Sequence, residues 1–331
     1  MKQLTLDALC DRIVETEKPL IVMHTRPDGD TVGSAVALAR MFSLLGRTPR
    51  AIAPDPIPKR LSFLTEGLAL APTSLEGERC TVITVDVASK GQLGALREQL
   101  QGDLSPSLMI DHHERGEAYA DCYVRANAAA VGEIMFDLAK RMLERGILTS
   151  LPVDLLTPIY AAISSDTGCF KYSNTTPHTH RIAADLISMG VDAAEINRRL
   201  FDVKSAEQLR AEGYVQSSLH RHESGRIAWI TISREIREGL GLLDEHFETA
   251  IDVVRSLEGV EVAIAVKESA DGRFKASLRS SGPDVAAMAA MLGGGGHVRA
   301  AGCSLTAESA EAATRAVVDC VWNSIKTQQD T

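Results

Sequence analysis

The chain has 331 residues, 45% hydrophobic and 24% charged, a length that fits two globular domains better than one. Its net charge of −9 argues against a protein that tracks long duplex DNA by neutralising phosphates, and leaves a short anionic substrate open. No apolar run reaches membrane-spanning length and the N-terminus lacks the apolar core of a signal peptide, so no membrane partner and a cytoplasmic location are expected.

In chain order, Thr5 to Cys10 reads as the start of a helix. Leu20–Met23 is a short apolar strand that runs into "HTRPDGD", and a helix with an apolar inner face follows from Ser34 to Leu45. Strand-like runs return at Ala51–Ala53, Thr81–Val85 and Leu108–Ile110, with a helical pattern over Gln92–Leu100. The alternation predicts an α/β fold with a mostly parallel, doubly wound sheet, whose ligand sits beyond the carboxyl ends of the strands. Gly132–Arg145 and Val153–Ser164 are helical, and Thr176 caps another helix with Pro177 in its first turn. These segments form a first domain, residues 1–190.

Residues 191–224 are polar and helix-prone and read as a helical linker. A smaller α/β domain, residues 225–331, opens with the strand "RIAWITIS". "VEVAIAVKES" and "FKASLRS" form a hairpin through Asp271-Gly272. A helix over Pro283–Leu292, a break at Gly293–Gly296, the strand "AAGCSL" and an amphipathic helix over Ala307–Ile325 complete it. A cleft is expected between the two domains. The six cysteines (Cys10, Cys80, Cys122, Cys169, Cys303 and Cys320) form no C-x-x-C pair and read as small buried residues rather than a zinc knuckle or disulfide scaffold.

Acidic and histidine residues gather where strands or helices end: His24, Asp28 and Asp30; Asp86; Asp111, His112 and His113; and Asp166. Singly each has an ordinary reading, with Asp30 capping a helix, Asp28 shaping a turn and Asp86 closing a strand. Jointly they place several carboxylates and imidazoles where parallel strands converge, beside a desolvated core that requires their neutralisation. That composition suits Mn²⁺ or Mg²⁺ better than structural zinc. The number of carboxylates points to two ions, ~3.5–4 Å apart in the usual two-metal geometry. The four glycines from Gly293 permit close backbone approach to a ligand, the other reading being a flexible loop; His297 and Arg279 weigh toward substrate binding.

"PDGDTVGS" preceded by His24, then Asp86, then "DHH" at 111–113, then "SSDTG" around Asp166 resemble, in order, the four motifs of the DHH phosphoesterases. "SLRS" at 277–280 and "GGGGHVRAAG" at 293–302 resemble the accessory domain of one branch of that family. The resemblance covers nearly the whole chain, and its length is most similar to the stand-alone oligoribonucleases of the family, which also dephosphorylate 3′-phosphoadenosine 5′-phosphate. It implies that His24, Asp28 and Asp86 hold one divalent cation and that Asp30, Asp86, His112 and Asp166 hold a second, with Asp86 bridging. His113 would contact the scissile phosphate or orient His112, and Asp111 would steer both histidines. Gly294, Gly295, Gly296, His297 and Arg279 would grip the substrate, with Arg299 either a further contact or a solvated surface residue.

The expected activity is two-metal hydrolysis of short RNA to mononucleotides, with Mn²⁺ or Mg²⁺ lowering the pKa of the attacking water. Rivals are a phosphodiesterase for cyclic dinucleotides or their linear products, a long-strand exonuclease, which the acidic balance disfavours, and a pyrophosphatase, whose accessory domain is expected to lack GGGGH. A binding protein that merely retains the fold should have lost ligands, and none is missing. Self-association into a homodimer is left open, and Arg26 has no role assignable from sequence.

Overall fold

A computed structural model describes residues 1–71, 74, 75, 79–114 and 116–327. The chain divides into two compact units, Met1–Val203 and Lys204–Thr331, and the division falls inside the stretch that the sequence reads as a linker.

In the first unit, α1 (Leu6–Glu15), β1 (Pro19–Val22), α2 (Gly29–Leu44), β2 (Arg50–Ile52) and β3 (Thr81–Val85) are followed by β4 (Leu108–Asp111) and β5 (Asp121–Val124). Helices α3 (Val131–Glu144), α4 (Val153–Asp166), α5 (Pro177–Ser188) and α6 (Ala193–Asn197) complete it. The strands lie in the order β2-β1-β3-β4-β5, all parallel, with Leu20 opposite both Arg50 and Val82 and Ile83 opposite Leu108. Strands buried on both faces read as continuous apolar runs, which is why β1 and β3 stand out in the sequence. On one face Ile21, Ile83 and Val85 pack with Leu38, Ile134 and Ile159 of α2, α3 and α4. On the other, Leu20, Val22 and Val82 pack with Leu93, Leu96 and Leu100. The helix expected over Gln92–Leu100 is instead a 3₁₀ segment, Lys90–Glu98, interrupted at Gly94, whose φ is 51°.

Helix α2 starts five residues earlier than the apolar pattern suggests, because its first turns contain Gly29 and Gly33 rather than apolar side chains. These glycines, four apart on one face, bring α2 against α4. A Cβ at Gly29 would lie 2.3 Å from Ser165 Oγ, and one at Gly33 would lie 2.5 Å from the Pro158 carbonyl oxygen.

The second unit contains α7 (Ala206–Ser218), β6 (His220–Arg221), β7 (Ile227–Ile232), α8 (Arg234–Leu240), α9 (Ala250–Arg255), β8 (Val262–Glu268) and β9 (Phe274–Ser280). It ends with α10 (Val285–Met291), β10 (Gly295–His297), β11 (Ala300–Leu305) and α11 (Ala310–Thr327). Its sheet has the order β10-β11-β9-β8-β7-β6, antiparallel except for β7 with β8. Ile264 and Leu278 pack with Val317 and Val321 of α11 on one face; Ala263 and Ala265 pack with Val215 of α7 and Val254 of α9 on the other. The glycine run is neither open loop nor simple break. It enters the hairpin β10–β11, where a Cβ at Gly294 would lie 2.2 Å from the Gly302 oxygen and one at Gly296 2.6 Å from that of Ala300.

Candidate metal centre

The chain leaves β1 at Val22, passes His24, and turns through Arg26, whose φ is 52° and whose amide donates to Asp55 Oδ2 at 2.8 Å. Asp28 then caps α2: its Oδ1 accepts from the amides of Asp30 (3.0 Å) and Thr31 (3.1 Å). Asp30, the residue the sequence offers as that cap, serves a different helix. Its carboxylate accepts from the Val131 amide at 2.7 Å and the Gly132 amide at 3.0 Å, at the start of α3, and from Ser34 Oγ at 3.0 Å. Both capping carboxylates also face the cluster, so capping and ligation are not alternatives here.

Asp86 follows β3 with a φ of 59°, its amide donating to the Ile110 carbonyl at 2.9 Å. One oxygen, Oδ2, is 3.4 Å from His24 Nε2; the other, Oδ1, is 3.6 Å from both His112 Nε2 and His113 Nδ1. Asp111 ends β4 fully buried, its Oδ1 accepting from the His112 amide (2.8 Å) and His113 Nδ1 (2.8 Å). His112 Nδ1 lies 3.1 Å from the Ala128 carbonyl and His24 Nδ1 2.7 Å from that of Thr25. A carbonyl can only accept, so each Nδ1 carries the proton and each Nε2 points into the cluster. From His112 Nε2, Asp30 Oδ2 is at 3.8 Å and Asp166 Oδ2, at the end of α4, is at 3.7 Å; His24 Nε2 is 3.6 Å from Asp28 Oδ1.

All eight residues that the motifs single out therefore meet at the carboxyl end of the parallel sheet. Three trios have donor atoms within 4.8 Å of one another: His24, Asp28 and Asp86; Asp30, His112 and Asp166; and Asp86, His112 and His113. Donors sharing one ion at about 2.1 Å stand roughly 3–4 Å apart, which is the spacing found. Asp86 Oδ1 supplies a test of fit: like Asp111 Oδ2 it is buried and accepts no hydrogen bond, although a buried carboxylate oxygen requires a hydrogen-bond donor or a cation. The residues fit divalent cations of the Mn²⁺ or Mg²⁺ kind.

Within the cluster, burial and neighbouring charges shift several groups toward their protonated forms. Burial pulls His24 down, but its hydrogen bonds to Asp28 and Asp86 outweigh this and push it up to about 11. His112 is pushed up to about 9, because Asp30, Asp86 and Asp166 together outweigh its burial. Burial raises Asp166 to about 7, the charges of Asp86 and Asp28 adding to it and His112 opposing it. Asp30 and Asp86 are likewise raised, chiefly by burial.

The candidate substrate residues lie in the other unit. Pairing of His297 with Ala300 and of Ala300 with Arg279 puts His297 and Arg279 on one face of the second sheet, two strands apart. Arg299 lies in the turn between β10 and β11, and its guanidinium donates to the Gly282 carbonyl. Sequence reading missed Thr31, whose hydroxyl ties α2 to the Val85 carbonyl at 3.0 Å, and Ser34, whose four-residue spacing from Asp30 was a readable signal.

A parallel sheet that gathers carboxylates and imidazoles from β1, β3, β4 and α4 defines the class, an α/β protein with a candidate divalent-cation centre. Residues 18–163 match the DHH family N-terminal domain and residues 238–323 match the DHHA1 domain. A bifunctional oligoribonuclease and PAP phosphatase, NrnA, from Thermus thermophilus is 30% identical over 91% of this chain and 88% of its own length. The chain belongs to the DHH family. The cyclic-di-AMP phosphodiesterase PdeA of Listeria monocytogenes is 23% identical over 95% of this chain, but over 49% of its own length. Among solved structures, an exopolyphosphatase-related protein from Bacteroides fragilis shares the fold with a TM-score of 0.86 at 22% identity, over 97% of this chain and 95% of that one. RecJ from Thermus thermophilus in complex with Mn²⁺ gives a TM-score of 0.52 at 18% identity, over 96% and 53%.

Proposed function

We propose that this chain is a metal-dependent hydrolase of phosphoester bonds that degrades short oligoribonucleotides to mononucleotides and dephosphorylates 3′-phosphoadenosine 5′-phosphate. The observation that carries this reading is the meeting of His24, Asp28, Asp30, Asp86, His112 and Asp166 at one sheet end, in a chain that matches 88% of an NrnA relative. The PdeA relative supports the cyclic-dinucleotide alternative less well, since this chain corresponds to only 49% of it.

Two divalent cations, Mn²⁺ foremost, would be held by His24, Asp28 and Asp86 and by Asp30, Asp86, His112 and Asp166. The Mn²⁺ complex of RecJ supports that choice. When bound, such ions polarise phosphoryl oxygens and lower the pKa of water. The protein's own groups do the rest. Asp28 and Asp30 are held rigidly by helix amides, and the two histidines present fixed Nε2 atoms. Asp111 accepts a 2.8 Å hydrogen bond from His113 Nδ1, which helps to raise that imidazole against its burial. His113 would contact the scissile phosphate or orient His112. Arg279, His297 and the amides of Gly294, Gly295 and Gly296 would bind the remainder of the nucleotide, and Arg299 would brace their hairpin through Gly282.

The test is incubation of the purified protein and Mn²⁺ with labelled di- to pentaribonucleotides, 3′-phosphoadenosine 5′-phosphate, and cyclic and linear dinucleotides. Mononucleotides from the short RNAs and free phosphate from the bisphosphate are expected. Turnover confined to cyclic dinucleotides overturns the proposal. Sizing of the same preparation separates a monomer from a homodimer.

A further inference from the structure

The segment from Arg125 to Glu133 carries no proposed cation ligand, yet it bonds directly to Asp30, Asp111 and His112 and, through Asn174, to the Asp166 carbonyl. The Arg125 amide donates to the Asp111 carbonyl at 3.0 Å. The Ala128 carbonyl accepts from His112 Nδ1 at 3.1 Å. The Ala129 carbonyl accepts from Asn174 Nδ2 at 3.0 Å, and the same nitrogen donates to the Asp166 carbonyl at 3.1 Å. The Val131 and Gly132 amides hold the Asp30 carboxylate at 2.7 and 3.0 Å. A shift of this one segment would therefore move Asp30, His112 and Asp166 relative to one another.

Two side chains fix the segment, Glu133 at its own end and Asn174 from a distant part of the chain. Glu133 is fully buried; one of its oxygens accepts from Thr179 Oγ1 at 2.6 Å and the other from Arg125 Nη2 at 3.4 Å, while Arg125 also pairs with Asp137. Asn174 reaches its two carbonyls from the connection between α4 and α5. There Gly168, Cys169 and Phe170 have φ values of 56°, 60° and 61°, a run of left-handed backbone that is uncommon for non-glycine residues. Such backbone persists only where its surroundings determine it, and it clusters at functional sites. Here it curls the chain back over the end of α4, with the Phe170 amide held by Thr167 Oγ1 at 3.1 Å. Both acceptors of Asn174 are carbonyls, so only a donor serves at this position.

We propose that Asn174 and Glu133 are positioning residues of the metal centre. Asn174 ties the helix end that carries Asp166 to the Ala129 peptide, and Glu133 fixes the same segment through Arg125 and Thr179. The inference rests on the reading of the cluster as a cation site. The test compares Asn174→Leu, Asn174→Ser and Glu133→Gln with the parent by Mn²⁺ titration calorimetry, by the electron paramagnetic resonance spectrum of bound Mn²⁺, and by kcat and KM at saturating Mn²⁺. Circular dichroism selects the variants that fold, and the smaller serine serves if leucine does not pack. Each folded variant is expected to bind Mn²⁺ about 10–100-fold more weakly, with an altered spectrum and a KM for RNA close to parental once Mn²⁺ saturates. Parental Mn²⁺ affinity and spectrum in folded variants, whatever their thermal stability, overturn this inference alone. A parent that binds no divalent cation overturns the cation reading as well.

Discussion

Asp86 serves both halves of the cluster with one carboxylate, Oδ2 toward His24 and Oδ1 toward His112 and His113. Asp86→Asn should therefore remove Mn²⁺ binding and lower turnover by at least about 10³-fold, the order seen when a centre of charge stabilisation is lost. The fold should survive, since asparagine tolerates the left-handed φ of 59° and the amide bond to Ile110 involves only backbone. Circular dichroism and Mn²⁺ titration check both halves; a variant that binds Mn²⁺ like the parent counts against the centre. The protons on the cluster lead to a second expectation. A cation must displace them from Asp166, held near 7, His112, near 9, and His24, near 11. Binding then releases protons, so affinity rises with pH through the range from about 7 to about 11 and falls below it. Calorimetry at one pH in two buffers of different ionisation heat measures the protons released. None released at pH 7 would show that those groups are already bare.

At the scale of elements, the contact of α2 with α4 determines how far Asp28 and Asp30 stand from Asp166. Gly33→Ala would place a methyl group 2.5 Å from the Pro158 oxygen and force the helices apart. The expected cost is roughly 1–3 kcal/mol of stability, read as a lower Tm, together with weaker Mn²⁺ binding. An unchanged Tm would mean that the pair slides without penalty. The same elements show what the sequence could and could not disclose. Strands β1, β3 and β4 were legible because burial on both faces leaves near-continuous apolar runs ending at the acidic residues. The start of α2 was not, because glycines chosen for close approach carry no hydrophobic signal. β5, a half-buried edge strand, lacks that apolar run, and the short α8 and α9 offer too few residues for a period to emerge. The cluster of carboxylates and imidazoles was readable from its motifs, whereas Asn174 and Glu133 act through partners 45 and 46 residues away that no local pattern marks.

On the scale of the whole molecule, the candidate cation centre belongs to the first unit, and Arg279 and His297 to the second. Under the proposed division of labour, His297→Ala should raise KM for short RNA by about 10-fold or more while leaving Mn²⁺ content unchanged. Parental kinetics would make the GGGGH hairpin a structural element only. The net charge of −9 bears on substrate length. A long RNA gains affinity by releasing counterions at basic surfaces, and an acidic protein offers little of that gain. Turnover should peak at roughly two to five nucleotides, because contacts with more distant nucleotides add nothing to the positioning of the scissile phosphate. Competition between a dinucleotide and an RNA of about 24 nucleotides, a length that spans single-strand binding grooves, decides it. Preference for the long strand would favour a processive exonuclease instead.

The bonds from Asp30 to Val131 and Gly132 span 101 and 102 residues of chain. A ribosome adding about 5–20 residues per second delivers the acid roughly 5–20 s before the amides that hold it. During that interval the emerging polypeptide carries His24, Asp28 and Asp86 without the fixed geometry that makes them selective. The cluster is thus completed only near the middle of synthesis, and a message broken between the codons for Asp30 and Val131 yields a fragment that always lacks Asp166 and the amides that hold Asp30.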